Sequence, residues 1–384
     1  MRDFGMVHDA RRNVVMAADP VVIKVGTNVL ADSSGALDRV RIAALVDQVQ
    51  RIRVSGRRVA LVSSGAIGAG VGKLKLGKRP VDLPHLQACA AVGQSALMQL
   101  YQEFLNPHGV HAAQILLTAG DFDSRSRYLN MRNTIITLFE YSALPIINEN
   151  DTVSIAEIKF GDNDQLAAMV ANLLQAPLLI LLTNVDGLYS ADPRQDPTAK
   201  RVETVAHIDD SIAGMAGNTK SDLGTGGMKS KILAARLATV AGGSVIMANG
   251  ATDGILDAIF AGESVGTLFL PHGGSVTAWK RWLGFTAKPK GKVRIDDGAR
   301  KALVEQGKSL LPVGVQQIEG TFGKGDVVAI FDANGIELAR GLINYSADDA
   351  TRIIGMSRER IASRFGKLPY QELVHRDNLV VTVT

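Results

Sequence analysis

The chain has 384 residues, 46% of them hydrophobic and 21% charged, which points to two folded units and a soluble, globular character. Its formal net charge of +4 is a mild excess that suits anionic substrates and is too small to argue for nucleic acid by itself. No apolar run approaches the ~20 residues of a membrane helix, and the lone Cys89 excludes an intrachain disulfide and fits a reducing cytoplasm.

Residues 1–18 mix Arg2, Arg11 and Arg12 with Asp3 and Asp9 and lack the apolar core of a signal peptide. They read as a loose N-terminal extension, with Met16 as an alternative start. From there to about residue 270, apolar β-branched runs alternate with helical patterns. Strands are expected at Val21–Val25, Arg58–Val62, Val110–Leu117, Leu144–Ile147, Leu178–Leu182, Ser244–Met247 and Thr267–Leu270. Helices are expected at Leu37–Arg53, His85–Leu105, Tyr128–Tyr141, Gln165–Leu174, Met228–Val240 and Gly254–Phe260. Cys89 falls in the second of these and reads as a small buried residue. Such alternation makes an α/β fold, a mainly parallel sheet sandwiched by helices. Ligands bind beyond the carboxyl ends of strands in these sheets, so Thr27, Ser64, Asn148–Asp151 and Thr183–Asn184 are expected along one edge.

Composition changes after Leu270. The stretch 273–289 reads as a linker that runs into the basic Lys288-Pro289-Lys290-Gly291-Lys292. Beyond it, Gly314–Ile318, Asp326–Phe331 and Ile336–Leu342 are short runs between glycines, expected to form a small, mostly β domain over 290–370, followed by a tail at 371–384.

Several motifs carry chemistry. Lys24 ends an apolar strand, where a charge is costly without a partner, and Gly26 lets a ligand approach the backbone. Ser63-Ser64-Gly65-Ala66-Ile67-Gly68-Ala69-Gly70 leaves N–H groups for an anion, or serves tight packing of a helix against the sheet. Asn148-Glu149-Asn150-Asp151-Thr152 and Gly161-Asp162-Asn163-Asp164 are paired polar clusters next to core elements; Asp164 either caps the following helix or orients a lysine at a reacting phosphate. Gly224-Thr225-Gly226-Gly227-Met228-Lys229-Ser230-Lys231 combines a glycine turn, a helix start and lysines, as a phosphate cradle does. Leu182–Tyr189 is a turn-rich strand exit suited to covering a nucleotide base. By contrast, Gly72–Arg79 only mimics a P-loop: Arg79 stands where Ser or Thr would hold magnesium, and the stretch reads as a basic surface loop. The scattered histidines exclude a zinc cluster.

Taken together, the order and spacing of Val22–Thr27, Ser63–Ile67, Ile147–Asp151, Gly161–Asp164, Gly187–Tyr189 with Ala191–Arg194, and Gly224–Met228 resemble the amino acid kinase family. The likeness is to its branch that phosphorylates the side-chain carboxylate of L-glutamate, and it spans about Val21 to His375. Residues from about Lys290 to Arg364, with Ser309–Pro312 and Gly320–Asp326, resemble a PUA domain. The resemblance implies ATP with Mg2+, no direct protein ligand to the metal, formation of L-glutamyl 5-phosphate as the first step toward proline, feedback inhibition by proline, a homo-oligomer (dimer or tetramer), and coupling to glutamyl phosphate reductase. Carried over by motif, Lys24, Asp164 and Lys231 are catalytic, with Asp164 organising the lysines. Ser64, Asn148, Asp151 and Asn163 bind glutamate. Lys24, Thr183, Asn184 and the turn Thr225, Gly226, Gly227, Met228, Lys229, Ser230 and Lys231 bind the nucleotide. Asn184 departs from the aspartate common at its position. Two rivals stand beside this reading: a family kinase for another acceptor, such as aspartate or acetylglutamate, and an RNA-binding protein acting through the C-terminal domain.

Overall fold

A computed structural model describes residues 10–32, 36–154, 163–215, 227–271, 283–284, 287–357, 360–361, 363 and 370–382. The chain divides into two units, Met1–Ser275 and Val276–Thr384. In the first, eight strands form one sheet in the order β3-β4-β2-β1-β5-β7-β8-β6. They are β1 (Val21–Val25), β2 (Val59–Val62), β3 (Ala112–Leu117), β4 (Leu144–Glu149), β5 (Leu178–Thr183), β6 (Thr204–Val205), β7 (Ser244–Asn249) and β8 (Thr267–Phe269). Every pairing is parallel except β7 with β8. The α/β expectation holds, and each expected strand and helix of this unit is present with its ends moved by a few residues. The two-residue β6 was not foreseen; it is too short to leave a pattern.

The chain builds outward from β1 through β2 to β3 and β4, then returns to β1's other side with β5. The sheet order therefore reverses at β1, where Lys24 lies opposite Val62 on one side and Leu181 on the other. A crevice at such a reversal is the place for a ligand.

Helices cover both faces. On one lie α1 (Arg39–Val54), α3 (Leu83–Leu105) and α7 (Ile255–Phe260); Ile42, Val46, Leu97, Leu100 and Ile259 pack there against Ile23, Val25, Leu61 and Ile180. Strand alternation then puts Lys24 on the opposite face, which α4 (Arg125–Glu140), α5 (Asn163–Leu174) and α6 (Met228–Val240) cover. Local caps start the long helices where they do. Asp38 accepts from the N–H groups of Val40 and Arg41 at 3.0 and 3.1 Å, and Asp82 caps α3, with Pro84 in its first turn.

Between β2 and α3 runs the short α2 (Ala66–Lys73), entered through Gly65 at φ 97°, a conformation glycine adopts without strain. It crosses α3 with almost no room. A Cβ on Gly70 would lie 1.8 Å from the Cys89 carbonyl oxygen, and one on Gly93 would lie 1.8 Å from that of Ala66. Of the two readings of this glycine stretch, helix packing thus accounts for Gly70, but against α3 rather than the sheet. Cys89 is buried, as expected.

The N-terminal residues need a correction. Residues 10–16 are helical, not loose, and Val15 and Ala18 are buried in the core. Arg11 is 2% exposed; its guanidinium donates to the carbonyls of Val265 (2.6 Å), Glu203 (2.7 Å) and Gly266 (3.1 Å). A guanidinium has five donors, enough to satisfy the irregular backbone before β6 and β8. Arg11→Ala strands these acceptors and should cost about 3 kcal/mol. Thermal unfolding measures it; a melting temperature equal to wild type would show that water replaces the side chain.

The second unit holds a five-stranded mixed sheet in the order β10-β9-β11-β12-β13: β9 (Gly291–Ile295), β10 (Val315–Gly320), β11 (Val327–Phe331), β12 (Glu337–Ile343) and β13 (Val374–Val381). Two short helices, Asp297–Val304 and Ala347–Ile353, accompany it. It is mostly β, as expected, but its basic approach is not all linker. Gly291 opens β9, whose Val293 and Ile295 are buried while Lys292 and Arg294 are exposed. Those two cations are the wet face of a strand.

Candidate active site

At the end of β1, Lys24 is 3% exposed, and its Nζ lies 2.5 Å from Oδ1 of the fully buried Asp164. The other carboxylate oxygen of Asp164 lies 3.1 Å from Nζ of Lys231, one turn into α6. Three elements that meet only in the fold thus place two ammonium groups on one carboxylate. The position of Asp164 in the first turn of α5 favours its negative charge. A Cβ on Gly26 would sit 3.6 Å from the Lys24 ammonium and 3.4 Å from the Leu182 carbonyl. Its absence leaves open space beside the lysine.

Asn163 precedes Asp164 and faces a different set of groups. Its Nδ2 lies 2.7 Å from the Ser63 carbonyl oxygen, 2.9 Å from Ser64 Oγ and 2.8 Å from Asn148 Oδ1. Consecutive helical residues point about 100° apart. One turn of α5 therefore serves both the lysine cluster and the polar ends of β2 and β4. Asn148 Oδ1 also accepts from the N–H of Glu149 at 2.9 Å, and its Nδ2 donates to Gln94 Oε1 at 2.8 Å. Ser63 Oγ lies 3.0 Å from the hydroxyl of Tyr101. Burial pushes that phenol's pKa up, against the lowering effect of its bond to Ser63, so it keeps its proton. Gln94 and Tyr101 were not singled out from the sequence. The available signal was a glutamine inside an otherwise apolar stretch of α3.

Asp151 lies in the turn after β4 and is half-buried. Thr183 ends β5, with its carbonyl accepting from the Gly250 N–H at 2.8 Å and its hydroxyl 3.3 Å from Oδ1 of the exposed Asn184. Gly227 precedes α6, Met228 and Ser230 are half-buried in its first turn, and Lys229 is exposed. Thr225 and Gly226 lie outside the described residues, as do Gly161 and Asp162. The structure therefore brings Lys24, Asp164 and Lys231 into one cluster and Ser64, Asn148 and Asn163 into an adjoining one, and puts Thr27, Thr183 and Asp151 at the same strand-end edge. The stretch Gly72–Arg79 is exposed, but only its part from residue 74 on is a loop, because Gly72 and Lys73 are the last residues of α2.

A mainly parallel sheet with two lysines sharing one buried carboxylate at its switch point has the charge to suit a phosphate group, and the comparisons place the chain among kinases. The model of the amino acid kinase family matches residues 19–249, and that of the PUA domain matches 291–364. The chain belongs to the amino acid kinase family. Its curated relatives include the glutamate 5-kinase of Caldanaerobacter subterraneus, 47% identical over 361 residues, which are 94% of this chain and 97% of the relative. Another is the glutamate 5-kinase of Geobacter sulfurreducens, 45% identical over 371 residues, 97% of this chain and 100% of the relative. Among solved structures, UMP kinase from Bacillus anthracis matches at 14% identity with a TM-score of 0.47, over 67% of this chain and 97% of the other. No helix among the described residues is long and apolar enough to cross a membrane.

Proposed function

We propose that the chain transfers the γ-phosphoryl group of ATP to the side-chain carboxylate of L-glutamate, giving L-glutamyl 5-phosphate for proline synthesis. The observation that carries this reading is the adjacency of Asn163 and Asp164. One reaches the polar groups that would hold an amino acid, and the other anchors the two lysines that would meet the phosphates.

The nucleophile needs no base, because a glutamate side chain with a pKa of about 4.3 is ionised at neutral pH. The obstacle is charge, since an anion must attack a polyanion. Catalysis is then positioning plus electrostatic stabilisation. Lys24 and Lys231 neutralise charge developing on the transferred group, and Asp164 holds both ammonium groups toward it. Both oxygens of Asp164 are occupied by lysine. Magnesium would arrive on the ATP phosphates and withdraw negative charge there, as the family resemblance implies. Thr183, Asn184 and the turn 225–231 take the nucleotide. Asn163 and Asp151 receive the substrate ammonium, while Ser64 and the N–H groups at Gly65 receive the α-carboxylate. A free amino group is then required, which separates glutamate from acetylglutamate.

In this reading residues 19–272 form the catalytic unit and 290–370 the appended one, joined through 273–289. The protein works in the cytoplasm as a homo-oligomer. Proline, which shares the ammonium and α-carboxylate of glutamate, competes for the acceptor pocket. The product is an acyl phosphate that water destroys, so transfer to a reductase follows directly.

The test is trapping. Incubation with L-glutamate, MgATP and hydroxylamine should yield γ-glutamyl hydroxamate, suppressed by proline. No hydroxamate from a folded, ATP-binding protein overturns the acceptor assignment, and a panel with aspartate and acetylglutamate then identifies the true one. Asp151→Ala should raise the KM for glutamate by about a hundredfold, the loss of one charge-assisted contact, with the KM for ATP unchanged. An unaltered glutamate KM removes Asp151 from the site.

A further inference from the structure

We propose that Gln94 is a positioning residue of the acceptor pocket, holding the direction of a chain of side-chain amides that runs from Gln94 through Asn148 to Asn163. The inference rests on the kinase reading above and adds to it a residue outside the motifs named in the sequence.

The direction of the chain is dictated by backbone groups, which cannot exchange donor for acceptor. The Glu149 N–H can only donate, so the atom of Asn148 that faces it at 2.9 Å is the carbonyl oxygen. The Ser63 carbonyl can only accept, so the atom of Asn163 that faces it at 2.7 Å is the amide nitrogen. These two assignments agree, because Asn163 Nδ2 then donates to Asn148 Oδ1 at 2.8 Å. They leave the Nδ2 of Asn148, which is 2% exposed, in need of an acceptor. Gln94 Oε1 is that acceptor at 2.8 Å. With Asn163's nitrogen committed inward, the group it has left for a ligand is its carbonyl oxygen. That oxygen suits the ammonium of an amino acid.

Gln94 itself is buried, and its Nε2 has no hydrogen-bond partner among the described residues. A buried donor without a partner is a cost, so the side chain is held here for its oxygen. The same nitrogen is closed off from water, which leaves the amide chain, rather than direct contact with substrate, as its route of action.

The rest of α3 repeats the arrangement. Residues seven apart on a helix share a face. Gln87 Nε2 donates to the Ser154 carbonyl at 3.2 Å, and the Tyr101 hydroxyl meets Ser63 at 3.0 Å. Gln87, Gln94 and Tyr101 thus hold the turn after β4, the end of β4 and the end of β2. The last two of these segments meet Asn163 directly.

Steady-state kinetics on the full chain test the proposal, with the acceptor that the wild-type protein is found to phosphorylate. Gln94→Met keeps the volume and removes the oxygen. It should raise the acceptor KM at least tenfold, with the ATP KM within twofold and kcat within threefold of wild type. Gln94→Glu keeps an oxygen facing Asn148 and should hold the acceptor KM within threefold. Gln94→Ala replaces Q94M if that variant fails to fold. An unchanged acceptor KM without the oxygen overturns the proposal, and so does an equal loss for Q94E and Q94M or a parallel rise in both KM values. Using the observed acceptor keeps these outcomes separate from the identity of the substrate: an acceptor other than glutamate overturns the assignment above and leaves the amide chain to be judged on its own result.

Discussion

Lys24→Ala is expected to lower turnover about a thousandfold while the protein stays folded. The activity loss follows from removing one preorganised cation from the transferred phosphoryl group, an effect of about two to three orders of magnitude. The fold survives because Asp164 keeps its second ammonium, that of Lys231 at 3.1 Å. Asp164→Ala should behave differently. It leaves two buried lysines facing each other without the carboxylate between them, and breaking a buried ion cluster from its centre costs about 3–5 kcal/mol. The two variants should therefore separate: Lys24→Ala loses activity with a native circular dichroism spectrum and melt, and Asp164→Ala loses both activity and stability. Near-normal turnover in Lys24→Ala would remove that lysine from the chemistry.

Gly93→Ala should destabilise the first unit by at least about 3 kcal/mol, more than a single methyl group normally costs in a core. The added Cβ would meet the Ala66 carbonyl oxygen at 1.8 Å and the Gly70 nitrogen at 2.3 Å. Both are backbone atoms, so no side chain can swing aside and α2 must move away from α3. Because α2 begins immediately after Ser64 and Gly65, acceptor binding should weaken in whatever fraction folds. Urea denaturation measures the first effect. A midpoint equal to wild type would mean that the crossing has slack the structure does not display.

The same contacts mark where sequence reading stops. Lys24 was legible because a lysine in an apolar strand needs a partner, and Asp164 because a carboxylate heads the helix behind it. The parallel sheet was legible from alternating patterns, and with it the shared edge. Gln94 and Tyr101 were not, because each meets its partner from 54 and 38 residues away in the chain. Their significance depends on which face of a 23-residue helix turns toward the strand ends. Arg11 was hidden for another reason. Its partners are main-chain carbonyls, which leave no residue type to pair it with. The strands β4 and β7 run on to Glu149 and Asn249 because a polar residue at a strand end still pairs through its backbone. Hydrophobic pattern alone stops β4 at Ile147 and β7 before Asn249.

On the proposed reading, the acceptor pocket and the lysine cluster meet on consecutive residues of α5, with a consequence for which molecules can react. The offset between the two halves of the site is set by a peptide link and a helical turn, with neighbouring Cα atoms about 3.8 Å apart. It is a ruler cut into the covalent chain, fixing the spacing of Asn163 and Asp164 themselves. A dicarboxylic amino acid one methylene shorter, seated by the same ammonium and α-carboxylate, would hold its reactive oxygen short of the phosphoryl group.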